Sequence, residues 1–199
     1  MKISILNSNI NNLRSVVKII EFFDHDSLII DKSNDILAAE KLIIPGISSF
    51  NHLINFINSN KLLESLKEQI LIKKIPILAI CAGLQILTKF SEEGGGSGLG
   101  IINGTCKRLP SNKNNLIPHH GWNYLHSDKD NIKLDYRSRY YFSHSYYLSV
   151  SDIKIVDKWC FYNISFPAII KQDNIIGTQF HPEKSLDAGM KLINNFCNL

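Results

Sequence analysis

The sequence has no Cys-x-x-Cys pair, no block of basic residues and no apolar run approaching the length of a membrane span. Its four cysteines, at positions 81, 106, 160 and 197, are widely and unequally spaced. That argues against a zinc ribbon and against a dense secreted disulfide scaffold, so a reducing, cytoplasmic compartment is expected. The opening "MKISILN" holds too short an apolar stretch for a signal peptide, and no membrane association is expected. Charge is nearly balanced: 22 Lys and Arg against 18 Asp and Glu are spread along the chain, giving a net +4 without an aromatic-basic ladder, so no nucleic-acid groove is expected. No repeat or linker breaks the 199 residues. A chain of that length, 44% hydrophobic, is enough for one core and short for two, so residues 1–199 are read as a single domain.

What is present is an alternation. "KISIL", "SLIID", "KLIIP" and "IPILAIC" read as short apolar strands, separated by "NNLRSVVKIIEFF", "FNHLINFIN" and "KLLESLKEQILIKK", which carry helical spacing. Strands alternating with helices require crossover connections, and near-continuous apolar strands are those covered on both faces. The expected fold is therefore α/β, an open, mostly parallel sheet flanked by helices. After about residue 91 short strand-like pieces follow, and "SLDAGMKLINNFCNL" reads as a final helix. "SEEGGGSGLG" has the glycines of a phosphate loop, but no Gly-Lys-Ser/Thr follows and no strand leads into it, so it reads as a plain loop.

In "ILAICAGLQIL" an apolar strand stops at Cys81, with Ala79 two positions before it and Gly83 two after. Small flanking residues are what a sharp strand-to-helix nucleophile elbow needs, and the following helix N-terminus would offer N–H groups and partial positive charge to a thiolate or an oxyanion. The competing reading is a cysteine acting as a small buried hydrophobe. A thiol nucleophile needs a base and the base an orienting group. In "TQFHPEKS", His181 and Glu183 are two apart, so in an extended segment they leave on one side, with Pro182 stiffening the link. A surface His beside a surface Glu is the alternative. His119 and His120 in "PHHGWN" point apart in a strand and make a poor metal pair, and no metal or cofactor is expected. His144 reads as a structural or pocket residue.

With these residues in hand, the sequence resembles the class I glutamine amidotransferases, those with a cysteine triad. More narrowly it is similar to the subfamily of glutaminase subunits of imidazole glycerol phosphate synthase. The resemblance runs nearly end to end, through "NNLRSV", "PGISSF", "PILAICAGLQIL", "SEE" with "GLG", "PHHGWN", "YYFSHSYY" and "GTQFHPEKS". It implies that Cys81 attacks the side-chain amide of glutamine, that His181 acts as base and then acid, and that Glu183 orients it. It also implies an oxyanion hole from the N–H groups of Ile47 and Ala82, a glutamine pocket with Gly46, Gln85, Ser143 and His144, and a (β/α)8-barrel cyclase partner in a heterodimer. That partner would take the ammonia and make imidazole glycerol phosphate and aminoimidazole carboxamide ribotide in histidine biosynthesis. Asn11, Asn12, Trp122, Tyr141 and Lys184 match positions at or near the partner interface. The family usually carries glycines in its first loop, where this chain has "NSNINN"; asparagine takes left-handed angles better than most residues. Ala79 stands where glycine is usual, Ala82 where a larger apolar residue is usual and His120 where methionine is usual. Two other readings remain open at this point: a paralogue supplying ammonia for amidine formation in surface-sugar synthesis, and a non-catalytic regulatory partner of the same fold.

Overall fold

The computed structural model describes residues 2–9, 13–113, 116–129 and 137–199. The elements follow in chain order as β1 (Lys2–Leu6), α1 (Arg14–Phe22), β2 (Asp26–Ile30), α2 (Ser33–Leu37), β3 (Leu42–Ile44), α3 (Phe50–Ser59), α4 (Leu63–Lys67, extended by a π turn over Glu68–Ile72), β4 (Ile77–Ile80) and α5 (Ala82–Gln85). The second half holds β5 (Phe90–Ser91), β6 (Gly96–Ser97), β7 (Gly104–Arg108), β8 (His119–Asn123), β9 (Leu125–His126), β10 (Tyr140–His144), β11 (Tyr146–Val150), β12 (Val156–Tyr162), β13 (Ile164–Gln172), β14 (Ile175–Thr178) and α6 (Leu186–Cys197).

The main sheet runs β2-β1-β3-β4-β14-β13-β12-β9. Its first five strands are parallel and the last three pairings antiparallel. β3 and β4, the unbroken apolar runs at the centre, are buried on both faces, whereas the edge strand β2 leaves Leu28 and Ile29 exposed. Leu42, Ile44, Ile77 and Ala79 face one way into a core with Phe50, Leu53 and Ile57 of α3 and Leu66 of α4. Ile43, Leu78 and Ile80 face the other way against Val16 and Ile20 of α1 and Ile193 and Phe196 of α6. A two-stranded sheet, β10-β8, and a four-stranded one, β11-β7-β5-β6, stand beside the main sheet.

One sequence expectation changes. The glycine-rich stretch is not a plain loop: Phe90–Ser91 and Gly96–Ser97 form a short antiparallel hairpin, its turn made by Gly94 and Gly95 at φ 73° and 66°. In the first loop Asn9 takes φ 65°, and its N–H donates to Asn7 Oδ1 at 3.0 Å, an Asx turn without glycine.

Candidate active site

The carboxyl ends of three neighbouring parallel strands meet at one point. Gly46 and Ile47 follow β3, Cys81 follows β4, and Gln179 and His181 follow β14. In open α/β sheets this edge is where ligands bind.

Cys81 sits on the elbow with φ 52° and ψ −112°, angles that an L-residue adopts only under constraint. The constraint is visible. Its N–H donates to Thr178 O at 2.7 Å, and its carbonyl accepts from the N–H groups of Leu84 and Gln85 at 3.0 Å. Gly83 lets the elbow press on β3: a Cβ there would lie 2.0 Å from Ile44 O. Gly46 answers from the other side, where a Cβ would lie 2.2 Å from Gly83 N. The helix that follows is only four residues long, so its first N–H groups act as local donors and the expected macrodipole is small.

His181 is buried, and its Nδ1 bonds Glu183 Oε1 at 2.8 Å. The link is not the expected extended segment. Pro182 opens a single 3-10 turn over Pro182–Lys184, and this folds the carboxylate back onto the ring. The other ring nitrogen is left for Cys81, whose charge acts on the ring. Burial alone would lower the imidazole pKa, but the Cys81 thiolate and the Glu183 carboxylate outweigh that and push it up to about 10. The His181 N–H donates to Tyr141 O at 2.8 Å, and Ser185 Oγ donates to His181 O at 2.6 Å, which fixes the backbone under the ring.

A cavity of about 240 Å3 opens onto the thiol. Gly46, Ile47, Ala82, Gln85, Ser143, His144 and Lys184 line it together with Cys81 and His181, so every expected pocket and oxyanion residue faces one space. Ala82 N–H, an expected oxyanion donor, already points at Gly46 O at 3.4 Å. Gln85 is turned with its NH2 group away from the cavity, donating to Tyr146 O at 2.8 Å and Gln179 Oε1 at 3.1 Å. Tyr141 and Trp122 lie on β10 and β8, with ring centroids 5.8 Å apart, and Lys184 Nζ stands 5.7 Å over the Tyr141 ring. Asn11 and Asn12 lie outside the described residues.

Two residues lining this cavity and one buried behind Cys81 had no role assigned from sequence. Glu93 reaches it from the β5–β6 hairpin, with Oε2 accepting from Phe50 N–H at 2.8 Å. Ser48 lines it with a buried Oγ that makes no hydrogen bond among the described residues. Gln179 donates from Nε2 to Cys81 Sγ at 3.6 Å. "SEE", "PGISSF" and "GTQFHPEKS" span these three positions without indicating a role for them.

Behind the cavity lies a buried histidine pair. His144 Nδ1 donates to Tyr146 O at 2.9 Å, a pure acceptor, so its Nε2 accepts from His119 Nδ1–H at 3.1 Å. His119 Nε2 then accepts from Asn123 Nδ2 at 3.3 Å, and Asn123 is oriented by Tyr124 N–H on its Oδ1 at 2.8 Å. Burial first, then the neighbouring imidazoles, lower the two pKa values to about 4 for His119 and about 3 for His144. His120 points outward instead, bonding Ser143 Oγ and Tyr141 OH, both at 3.1 Å. No group of three or more His, Cys, Asp or Glu suited to a metal ion occurs among the described residues, and none of their helices is long and apolar enough to cross a membrane.

A thiol on a strained elbow, facing one cavity with a carboxylate-anchored histidine at the carboxyl edge of a parallel sheet, defines the class of α/β acyl-transfer sites built on cysteine. The family model described as glutamine amidotransferase class-I matches residues 2–199, and the chain belongs to that family. It is 37% identical over 203 residues to the imidazole glycerol phosphate synthase subunit HisH of Leptospira borgpetersenii, covering 99% of this chain and 100% of that one. It is likewise 37% identical over 201 residues to imidazole glycerol phosphate synthase subunit HisH 1 of Campylobacter jejuni strain RM1221, covering 99% and 100%. Among solved structures, a crystal structure of a glutamine amidotransferase superposes with a TM-score of 0.75 over 99% of both chains, at 13% identity, a likeness of fold.

Proposed function

We propose that this chain, as one domain, is the glutaminase subunit of a cytoplasmic imidazole glycerol phosphate synthase. It hydrolyses glutamine to glutamate and ammonia and passes the ammonia to a (β/α)8 cyclase partner in histidine biosynthesis. The observation that carries the chemistry is Cys81 on its elbow, sharing one cavity with a buried His181 that is bonded to Glu183. Full-length similarity to HisH subunits supports the assignment of pathway and partner.

The Cys81 thiolate attacks the carboxamide carbon of glutamine, and the carbonyl electrons move to oxygen. The N–H groups of Ile47 and Ala82 receive that oxyanion, which must outcompete Gly46 O for the Ala82 donor; at 3.4 Å that bond is weak. His181 gives its proton to the leaving nitrogen, the C–N bond breaks, and ammonia and a glutamyl thioester result. Neutral His181 then takes a proton from water as the water attacks the thioester. The C–S bond breaks, its electron pair returns to sulfur, and glutamate leaves. Glu183 holds the imidazole tautomer and stabilises the imidazolium. Glu93, a carboxylate on the cavity wall, fits the substrate α-ammonium, and the Gln85 carbonyl oxygen adds an acceptor. Trp122, Tyr141 and Lys184 form the rim against which the cyclase docks, with Asn11 and Asn12 assigned to the same face from sequence alone.

The test is glutamate release by the purified chain, alone and then with its matching cyclase and that enzyme's nucleotide ligand. Low activity alone and a large rise with both are expected, and Cys81→Ala abolishes turnover while leaving cyclase binding intact. No rise with that cyclase, in a folded protein that binds glutamine, would assign the ammonia to another acceptor, such as one in surface-sugar synthesis. Turnover unchanged in Cys81→Ala would sink the mechanism.

A further inference from the structure

We propose that Gln179 is a catalytic hydrogen-bond donor to the Cys81 sulfur, aimed by a chain of amides that begins at the Tyr146 carbonyl. The proposal deepens the glutaminase reading and rests on it for the identity of the thioester.

Gln179 is fully buried at the end of β14, and its backbone N–H is used on Ala168 O at 2.9 Å. Its side-chain Nε2 lies 3.6 Å from Cys81 Sγ, although the two residues are 98 apart in sequence. The oxygen and nitrogen of an amide are distinguished by their partners, and here the partners leave one solution. Tyr146 O can only accept, so the Gln85 atom 2.8 Å from it is the NH2 group. The second hydrogen of that group goes to the Gln179 atom at 3.1 Å, which is therefore Oε1. The Gln179 NH2 group then faces the sulfur. Tyr146 O also accepts from His144 Nδ1 at 2.9 Å, so both of its lone pairs are engaged and the anchor has no slack.

A fully buried amide is costly unless its polar atoms are paired, and an apolar side chain of similar length would fill the same space without that cost. The donor repays it at the sulfur. A hydrogen bond to an anionic acceptor is roughly twice as strong as one to a neutral group, so this bond is at full strength while the sulfur carries charge, before attack. During attack the charge leaves sulfur for the carbonyl oxygen, and the bond weakens. During hydrolysis of the thioester the C–S bond breaks and charge returns to sulfur, where the donor is already in place. Breakdown of the thioester is therefore the step most dependent on Gln179.

The experiment compares the full chain with Gln179→Met, which keeps the length and removes the donor. At one fixed pH, alkylation of Cys81 by iodoacetamide speeds up about threefold, because attack no longer has to weaken a bond to the charged sulfur. Glutamine turnover with the cyclase falls about tenfold in kcat without a rise in KM, and acid-quenched protein carries more glutamyl thioester by intact mass. Alkylation within twofold of the original chain would overturn the proposal. Alkylation needs no glutamine, so a chain that alkylates as expected but releases no glutamate would refute the glutaminase reading and leave this one standing. Should Gln179→Met fail to fold, the side-chain 15N resonances of Gln179 are compared between the original chain and Cys81→Ala. A clear shift supports the bond; superimposable resonances overturn it.

Discussion

Replacing His119 by asparagine removes one titrating group from the buried His119–His144 pair and so isolates that group's share of the acid sensitivity of the fold. His119 is held near pKa 4 by burial and by the neighbouring His120, while the unfolded chain takes up its proton near 6.5. Between those values the unfolded state binds more protons than the folded one, so stability rises with pH and is lost as pH falls below 6.5. From pH 8 to pH 5 this one residue withdraws about 2 kcal/mol. Geometry agrees: a proton added at His119 Nε2 would face the Asn123 NH2 group at 3.3 Å, donor against donor. The variant is less stable at both pH values, because it also loses the stacking of His119 on Phe142 and Tyr162, at 4.6 and 4.0 Å between centroids. The informative quantity is therefore the change between pH values. His144, whose shift comes first from burial, and His181 titrate in both proteins and cancel. Urea titrations at pH 8 and pH 5 should show the original chain losing about 2 kcal/mol more than His119→Asn, or about 4–8 °C in melting temperature. Equal losses would refute the assigned tautomers and the neutral pair.

Gly83→Ala places a Cβ 2.0 Å from Ile44 O and should cost about 2 kcal/mol or more of stability together with most of the glutaminase activity, read by urea melts and glutamate release. Glu183→Gln keeps the hydrogen bond and removes the charge that holds His181 protonated. Turnover should fall, but less than in Cys81→Ala, and an equal loss would reverse that ranking. Glu93→Gln retains an acceptor for Phe50 N–H and loses the charge facing the substrate amine; the KM for glutamine should rise about tenfold with kcat little changed.

The parallel half of the sheet was legible because β3 and β4 are unbroken apolar runs buried on both faces and β1 and β2 are mostly apolar, with clearly spaced helices between them. Helix α2, Ser33–Leu37, was not, since five residues are too few to show a period. The β5–β6 hairpin was hidden for the same reason: two-residue strands around glycines look like a loop. The elbow could be read from Ala79 and Gly83, and the base from His181 and Glu183, although a 3-10 turn, not an extended strand, brings the last two together. Roles for Gln179 and Glu93 were not legible, because the partner of each, Cys81 or Phe50, is remote in sequence; for Ser48, whose buried Oγ makes no hydrogen bond among the described residues, there was no partner to read. The turn at Asn9 answers the missing glycines: asparagine supplies the left-handed angle itself.

The sheet order places β14 between β4 and β13, so the centre of the sheet is closed by a segment made long after β4. While the chain is being synthesised, β4 is a bare edge of four wholly apolar residues, Ile77–Ile80, with its hydrogen-bonding groups open to any other strand. Such an edge is a template for aggregation until its partner arrives. The same delay keeps the thiol harmless, because neither His181 nor Gln179 exists beside Cys81 until the ribosome has passed them. The growing chain is thus sticky but chemically unarmed, and chaperone demand and reactivity are separated in time by the order of its strands.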